Sequence, residues 1–453
     1  MDIPNHRIDT ESGANSWIKR KMGVFSHAQP TPRILLFFIA ILIKLAASSL
    51  SGIGFVLKSP VFLISGTVVW LAWFAVLFLI AVPATDRFLR NQMRRLKPAA
   101  TTIFVALLLT GLVEFVAIFA IGFDSLHIER LDEKISQVFT SLESTFAYND
   151  ATALCHQATE NLLDGNNPYA DANIVSATTR FNVSIDKLTP LRQGKFAEVF
   201  PYPDTEQLEL LRQEVAKNPG HIPPELESRL GYPAGCFLLP APFVLLGMDD
   251  LRVVYLLSLL PALAYVIWRA PPNLRLFLVA AILISLELWN SLAAGETGVL
   301  LFPFLLLAWV LPRRNLWLSA LFMGLAVAIK QVAWFFIPFY LILIFRTEGL
   351  KRMLPVLAII TGVFFVTNAP FIISDPKLWL TSILAPMTEN LFPLGVGIIT
   401  IVTGGLLEIQ SPLIFSLLEF CILGLAIIWY FRYCPRYPHT GPILAILPLF
   451  FAW

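Results

Sequence analysis

Residues 34–57 and 61–84 are two nearly unbroken apolar runs, separated only by Lys58-Ser59-Pro60. At about 1.5 Å per residue each is long enough to cross a ~30 Å hydrocarbon core as a helix. In that medium every backbone N–H and C=O must be satisfied internally, so only helices and closed barrels can span it. Runs this long and this evenly apolar read as helices. Composition agrees: 57% of the 453 residues are hydrophobic and 14% are charged, against about 25% charged in soluble domains. The expected fold class is an all-α polytopic membrane protein.

Charge orients the spans. Residues 1–33 are polar and carry Arg7, Lys19, Arg20, Lys21 and Arg33, with no cleavage site after the first apolar run. They read as a cytoplasmic N-terminal segment, not a cleavable signal. The basic cluster Arg87, Arg90, Arg94, Arg95 and Lys97 makes 34–100 a two-helix hairpin with a cytoplasmic loop. Residues 101–123 then cross outward, and 124–232 become a large extracytoplasmic loop with charges of both signs. Beyond it, 234–247 is interrupted by Pro240 and Pro242 and reaches only about 20 Å, so it reads as a re-entrant or interfacial half-helix.

With that assignment the later segments 251–268, 276–290, 298–311, 316–330, 333–345 and 353–374 alternate, and each basic pair falls inside. Residues 375–392 fall outside. Segments 298–311, 316–330 and 333–345 are too short to cross alone. Such helices are tolerated where they line a cavity within the protein. Residues 393–408 and 412–431 read as two further spans, and "PILAILPLFFAW" is too short to be one.

Within the polar interruption stands "YNDATALCHQATENLLDGNNPY" (148–169). Asp150 opens an expected helix over 151–163, ended by Gly165. The bland reading makes Asp150 its N-cap. A cap also holds a carboxylate rigidly, as a general base requires, so the two roles are compatible. Glu296 in Gly295-Glu296-Thr297-Gly298 reads as a solvated loop carboxylate or a site residue. Lys330 ends the apolar "ALFMGLAVAIK". It either snorkels to headgroups or holds an anion at a cavity wall. Lys44, Glu114 and Glu287 lie inside spans, where ionisable groups pair; Lys44 with Glu114 is the simplest pairing. Cys155 and Cys236 flank the polar segment and could form a disulfide or remain separate thiols.

No Asp-x-Asp pair, Walker A pattern, zinc signature or Gly-x-Gly-x-x-Gly occurs, and Asp204-Thr205-Glu206 reads as a solvated acidic turn. Nucleotide-driven pumping and a nucleotide-sugar fold lose support. No half-to-half similarity of the inverted-repeat kind is present.

The ordered series "YNDA…LLDGNNPY", "GYPAGCFLLPAPFVLLG" and "NSLAAGETGVLLFPFLLLAWVLPRRNLWLSALFMGLAVAIKQVAWFFIPFYL" resembles the GT-C superfamily of membrane glycosyltransferases. It is most similar to the bacterial family of polyprenyl-phosphate-mannose-dependent mannosyltransferases and related arabinofuranosyltransferases. The match covers about 145–345, with weaker agreement in "ENLFPLGVG". Two motifs depart from the family pattern. Its Tyr-Pro-Pro is Tyr232-Pro233-Ala234 here, and its Gly-Gln is Gly295-Glu296.

The resemblance implies a GT-C-like catalytic domain over 101–453. It implies inverting transfer of a sugar from a polyprenyl-phosphate donor to a lipid, glycan or protein acceptor at the outer face of the plasma (inner) membrane. Asp150 would be the base and Lys330 would bind the donor phosphate. Glu296, Tyr169, Tyr232 and Asn390 would position substrate or loop. No metal or cofactor is expected, and no nucleic-acid partner; membrane lipids and the lipid-linked sugar are the partners. A transporter or flippase of lipid-linked sugars, and a non-catalytic envelope-assembly subunit, are the alternatives from other classes.

Overall fold

The computed structural model describes residues 31–90, 148–181, 187–218, 220–404 and 413–453, with isolated positions besides. Residues 1–30, the expected span 101–123 with Glu114, Arg94, Arg95 and Lys97 of the basic cluster, and the first part of the 124–232 loop lie outside the described residues. The described residues form helices, two isolated β-bridges and no strand. Among the described residues six helices are long and apolar enough to cross a membrane, or seven if one bent pair counts as a single span.

The hairpin forms as expected, with α1 (Pro32–Val56) and α2 (Pro60–Ala81). Pro32 and Pro60 each open their helix, where a missing N–H costs nothing. The polar segment supplies α3 (Asp150–Leu163) and α4 (Thr205–Lys217), the latter opened by a capping box between Asp204 and Gln207. Residues 235–245 make two short turns of helix, as the two prolines require. Then follow α5 (Leu251–Arg269), α6 (Pro272–Leu283) and α7 (Leu286–Ala293). The short pair α8 (Thr297–Val310) and α9 (Leu316–Ile329) leads to α10 (Phe336–Glu348) and the long α11 (Leu350–Ser374). The chain closes with α12 (Pro376–Thr388), α13 (Leu413–Tyr433) and α14 (Gly441–Ala452).

Three expectations are corrected. Residues 276–290 are not one straight span: α6 and α7 meet at 49°. Side chains meet the carbonyls freed at the break, with Ser285 Oγ donating to Ala281 O at 2.7 Å and Trp289 Nε1 to Ile282 O at 2.9 Å. Residues 333–345 belong to a longer element. A 3₁₀ turn over Gln331–Phe335 runs straight into α10, and the 18 residues together are long enough to cross.

Residues 393–408 are not a span. Pro393, Gly395 and Gly397 disfavour helix, and among the described residues of this stretch only Thr400–Thr403 is helical. The N–H groups of Val396, Ile398 and Ile399 instead donate to Trp453, Phe451 and Ala452 carbonyls at 2.9–3.1 Å, satisfying the end of α14. Lys44 pairs with Glu287, its Nζ 2.7 Å from the carboxylate, and lies 3.9 Å from the Trp70 ring centroid. The bend that breaks α6 from α7 is what brings Glu287 to the hairpin.

The main core joins the polar segment to the membrane helices. Ala153, Leu154, Cys155 and Ala158 of α3 pack in one cluster with Leu251, Val254 and Tyr255 of α5 and with Val299 and Leu300 of α8. Cys155 and Cys236 are both buried and are free thiols.

Candidate active site

The N-terminus of α3 is seated on the α7–α8 turn. Asn149 N–H donates to Ala294 O at 3.1 Å, and Thr152 Oγ1 donates to Gly295 O. Gly295 has φ +67°, and a Cβ there would lie 3.2 Å from Thr152 Cγ2. Both the left-handed backbone and the close approach call for glycine. Asn149, not Asp150, is the N-cap of α3, accepting the Thr152 N–H at 2.9 Å. The sequence reading placed the cap one residue late, since adjacent Asn and Asp are near-equal capping residues.

Asp150 is thereby released for another task. It is half-buried. Its Oδ1 accepts the Ala151 N–H at 2.7 Å and its Oδ2 accepts the Thr189 N–H at 2.8 Å. A carboxylate has about four acceptor positions, so lone pairs remain for a substrate hydroxyl. Burial pushes the Asp150 carboxyl above the ordinary range, while the hydrogen bonds from Thr189 and Ala151 and the Lys330 charge oppose the shift. A base of raised affinity for protons is a better acceptor of one.

Lys330 follows the last residue of α9 in extended conformation. Its Nζ donates to Thr297 Oγ1 at 2.9 Å and lies 5.0 Å from the Tyr232 ring centroid. Gly235 makes this possible: a Cβ there would sit 2.5 Å from Ala328 O, so only glycine lets the 232–238 turn lie against the end of α9. Gln331 Nε2 ties the same region to Gly231 O at 2.5 Å and to Ile383 O at 2.9 Å.

Of the residues singled out in the sequence, Asp150, Tyr232 and Lys330 are brought together: Asp150 acts electrostatically on both Tyr232 and Lys330. Glu296 is exposed, and its charge reaches both Lys330 and Lys44. Tyr169 is buried, and its hydroxyl donates to the Tyr232 carbonyl at 2.9 Å, so it holds the Tyr232 turn. Asn390 has an exposed side chain; it joins the polar segment through its carbonyl, which accepts the Arg192 N–H at 2.7 Å.

Three participants were missed. Thr189 supplies its backbone N–H and a side-chain hydrogen bond to Asp150, and a lone threonine in a loop carries no signal of that placement. Thr297 stands at the first position of α8, beside the glutamate that drew attention. Glu227 lies in the charged "PELESRLGYP" stretch and comes near Asp150 only through the pairing of two loop strands.

Residues 230–451 match the family model of glycosyltransferase family 87. The chain is a membrane glycosyltransferase. Comparison with curated proteins and with solved structures returns no match. In the glycosyltransferase, Tyr232, Glu296, Thr297 and Lys330 lie within the matched stretch, whereas Asp150 and Thr189 come from the preceding polar segment.

Proposed function

We propose that the protein is an inverting glycosyltransferase of the GT-C type that takes its sugar from a polyprenyl-phosphate donor. The acceptor is a lipid, glycan or protein hydroxyl on the extracytoplasmic side of the plasma membrane, with the N-terminus cytoplasmic. The observation that carries this reading is the Asp150 carboxylate, clamped by the Ala151 and Thr189 N–H groups, within electrostatic reach of a lysine at the end of an apolar helix, with Tyr232 beside that lysine. A donor whose tail dissolves in lipid needs a membrane enzyme. Its single phosphate carries less charge than a diphosphate, so one ammonium group can meet it.

In the step proposed, the acceptor oxygen attacks the anomeric carbon from the face opposite the phosphate. The bond from that carbon to the phosphate oxygen breaks, and its electron pair leaves with the polyprenyl phosphate. Lys330 stabilises the departing anion, and Asp150 takes the hydroxyl proton. Thr297 and Tyr232 orient the lysine, and Tyr169 steadies the turn that carries Tyr232. A mannosyl or arabinofuranosyl donor is the first to try, on the resemblance described above. The charge of the phosphate being met by Lys330, transfer is expected to need no metal.

The test is incubation of purified protein with a panel of polyprenyl-phosphate sugars and membrane extracts as acceptors, followed by mass analysis of the products. A new glycosidic product of inverted configuration is expected, formed equally in strong chelator. Transfer from nucleotide sugars alone, or with retention, would overturn the reading. Loss in chelator with recovery on Mg²⁺ would overturn its metal-free part.

A further inference from the structure

The polar segment and the end of α12 hold three carboxyl groups near one another in sequence or space, and they differ in how they are satisfied. Glu225 Oε1 accepts the Lys195 N–H at 2.6 Å and closes the turn at Gly194. Glu389, at the end of α12, faces Arg229 at 3.6 Å. Glu227 is half-buried, and its carboxyl makes no hydrogen bond or ion pair among the described residues. Its backbone position is nonetheless fixed: the Glu227 N–H donates to Thr189 O at 3.0 Å, next to the Pro190–Leu226 bridge. The same Thr189 donates its own N–H to Asp150. One residue therefore sets the spacing between a clamped carboxylate and an unsatisfied carboxyl.

We infer that Glu227 is a substrate-positioning residue on the acceptor side, its carboxylic O–H donating to a sugar hydroxyl adjacent to the one that Asp150 deprotonates. The inference rests on the reading of Asp150 as the base. Glu227 belongs to the polar segment near the Arg229–Glu389 pair, whereas Lys330 ends an apolar helix, so Glu227 faces the acceptor and not the lipid phosphate. Burial, the Asp150 charge and the Glu389 charge push the Glu227 carboxyl up to about 8. The charged and titratable groups around it are Asp150 from α3, Glu389 from the end of α12, and Arg229 and Tyr232 from its own segment. Two ionised carboxylates this close would repel; a neutral acid beside an ionised one does not, and it supplies a donor that a carboxylate lacks. Sugar hydroxyls accept such bonds, and a donor placed next to the base fixes which hydroxyl meets it.

Two measurements test this. Infrared titration of the purified protein needs no substrate: wild type is expected to lose a protonated-carboxyl band with a midpoint of about 8, and Glu227→Gln to lack that band. In transfer assays with the best donor and acceptor of the panel, Glu227→Ala should raise the acceptor KM about tenfold with donor KM unchanged, the loss of one hydrogen bond. Glu227→Gln, which keeps a donor, should stay within about threefold of wild type and lose the decline in activity above about pH 8. An infrared titration unaltered by Glu227→Gln would overturn the inference. So would an unaltered acceptor KM in Glu227→Ala, or equal impairment of both variants. Retained turnover in Asp150→Asn would instead remove the base reading, so the two failures are distinct.

Discussion

At one end of the site two peptide N–H groups, from Ala151 and Thr189, fix the Asp150 carboxylate. At the other a hydroxyl and an aromatic ring steady the Lys330 ammonium. A short acid on a helix N-terminus can be held largely by backbone, here with the Thr189 side chain added. A four-carbon side chain cannot, and its orientation must come from other side chains. The carboxylate end should thus answer to one neighbouring side chain, that of Thr189, and the ammonium end to two, those of Thr297 and Tyr232.

The largest effect expected is at the backbone-held end. Asp150→Asn keeps an acceptor for the Thr189 N–H and leaves the Asn149 cap untouched, so expression and melting should change little. Removal of the base should lower turnover by about 10²–10⁴. A residual rate above about a tenth of wild type would remove Asp150 from the role and pass it to Glu296, the other carboxylate whose charge reaches Lys330. In wild type the acid limb of the rate profile should lie above the usual carboxylate range. Burial raises the Asp150 pKa, and activity falls as pH drops through it.

Next comes Lys330→Met. Loss of the one cation on the departing phosphate should cost about 10²–10³ in turnover from the lipid donor. The acceptor KM should hold, and an equal rise in both KM values would blur the distinction between the two ends. A smaller effect isolates orientation: Thr297→Val retains shape and removes the Lys330 hydrogen bond. About three- to tenfold lower turnover is expected, the range of a single hydrogen bond. A wild-type rate in Thr297→Val would mean that the lysine needs no guide.

The smallest effect concerns the platform under Asp150. His156, on α3, is buried, stacks on Phe181 with ring centroids 4.1 Å apart, and among the described residues makes no hydrogen bond through either ring nitrogen. Burial pushes it down to about 4. The unfolded histidine titrates near 6.5, so between these values the unfolded state binds more protons. Stability should therefore fall as pH drops through that window. His156→Phe should flatten this part of the melting-point profile, and a slope unchanged in the variant would place the acid sensitivity elsewhere.

Much of the bundle was legible because membrane spans declare themselves by length and hydropathy. The hairpin, α5, α11 and α13 fall within a few residues of their expected bounds. The errors lie where tertiary contacts override a run. The stretch at 393–408 is apolar enough to suggest a span, yet its glycines and Pro393 favour an extended strap against α14. The bend between α6 and α7 likewise brings Glu287 to Lys44, a pairing that no run in the sequence announces. At the site, Asp150 and Lys330 were visible because a charge at the edge of an apolar run is conspicuous. Thr189 and Glu227 were not, because both reach Asp150 through a pairing of loop segments that leaves no pattern in residue types.

The Lys44–Glu287 pair also bears on how the protein is made. The two residues are 243 positions apart, and the lysine is synthesised first. A lysine near the middle of a membrane helix costs about 2.5–3.5 kcal/mol on insertion scales. Until residue 287 leaves the ribosome, α1 is better served by sliding or tilting to bring that ammonium to the headgroups. Its final depth in the bilayer, and with it the seat of the hairpin against α7, becomes favourable only late in biogenesis. A hairpin made early is thus among the last parts to settle.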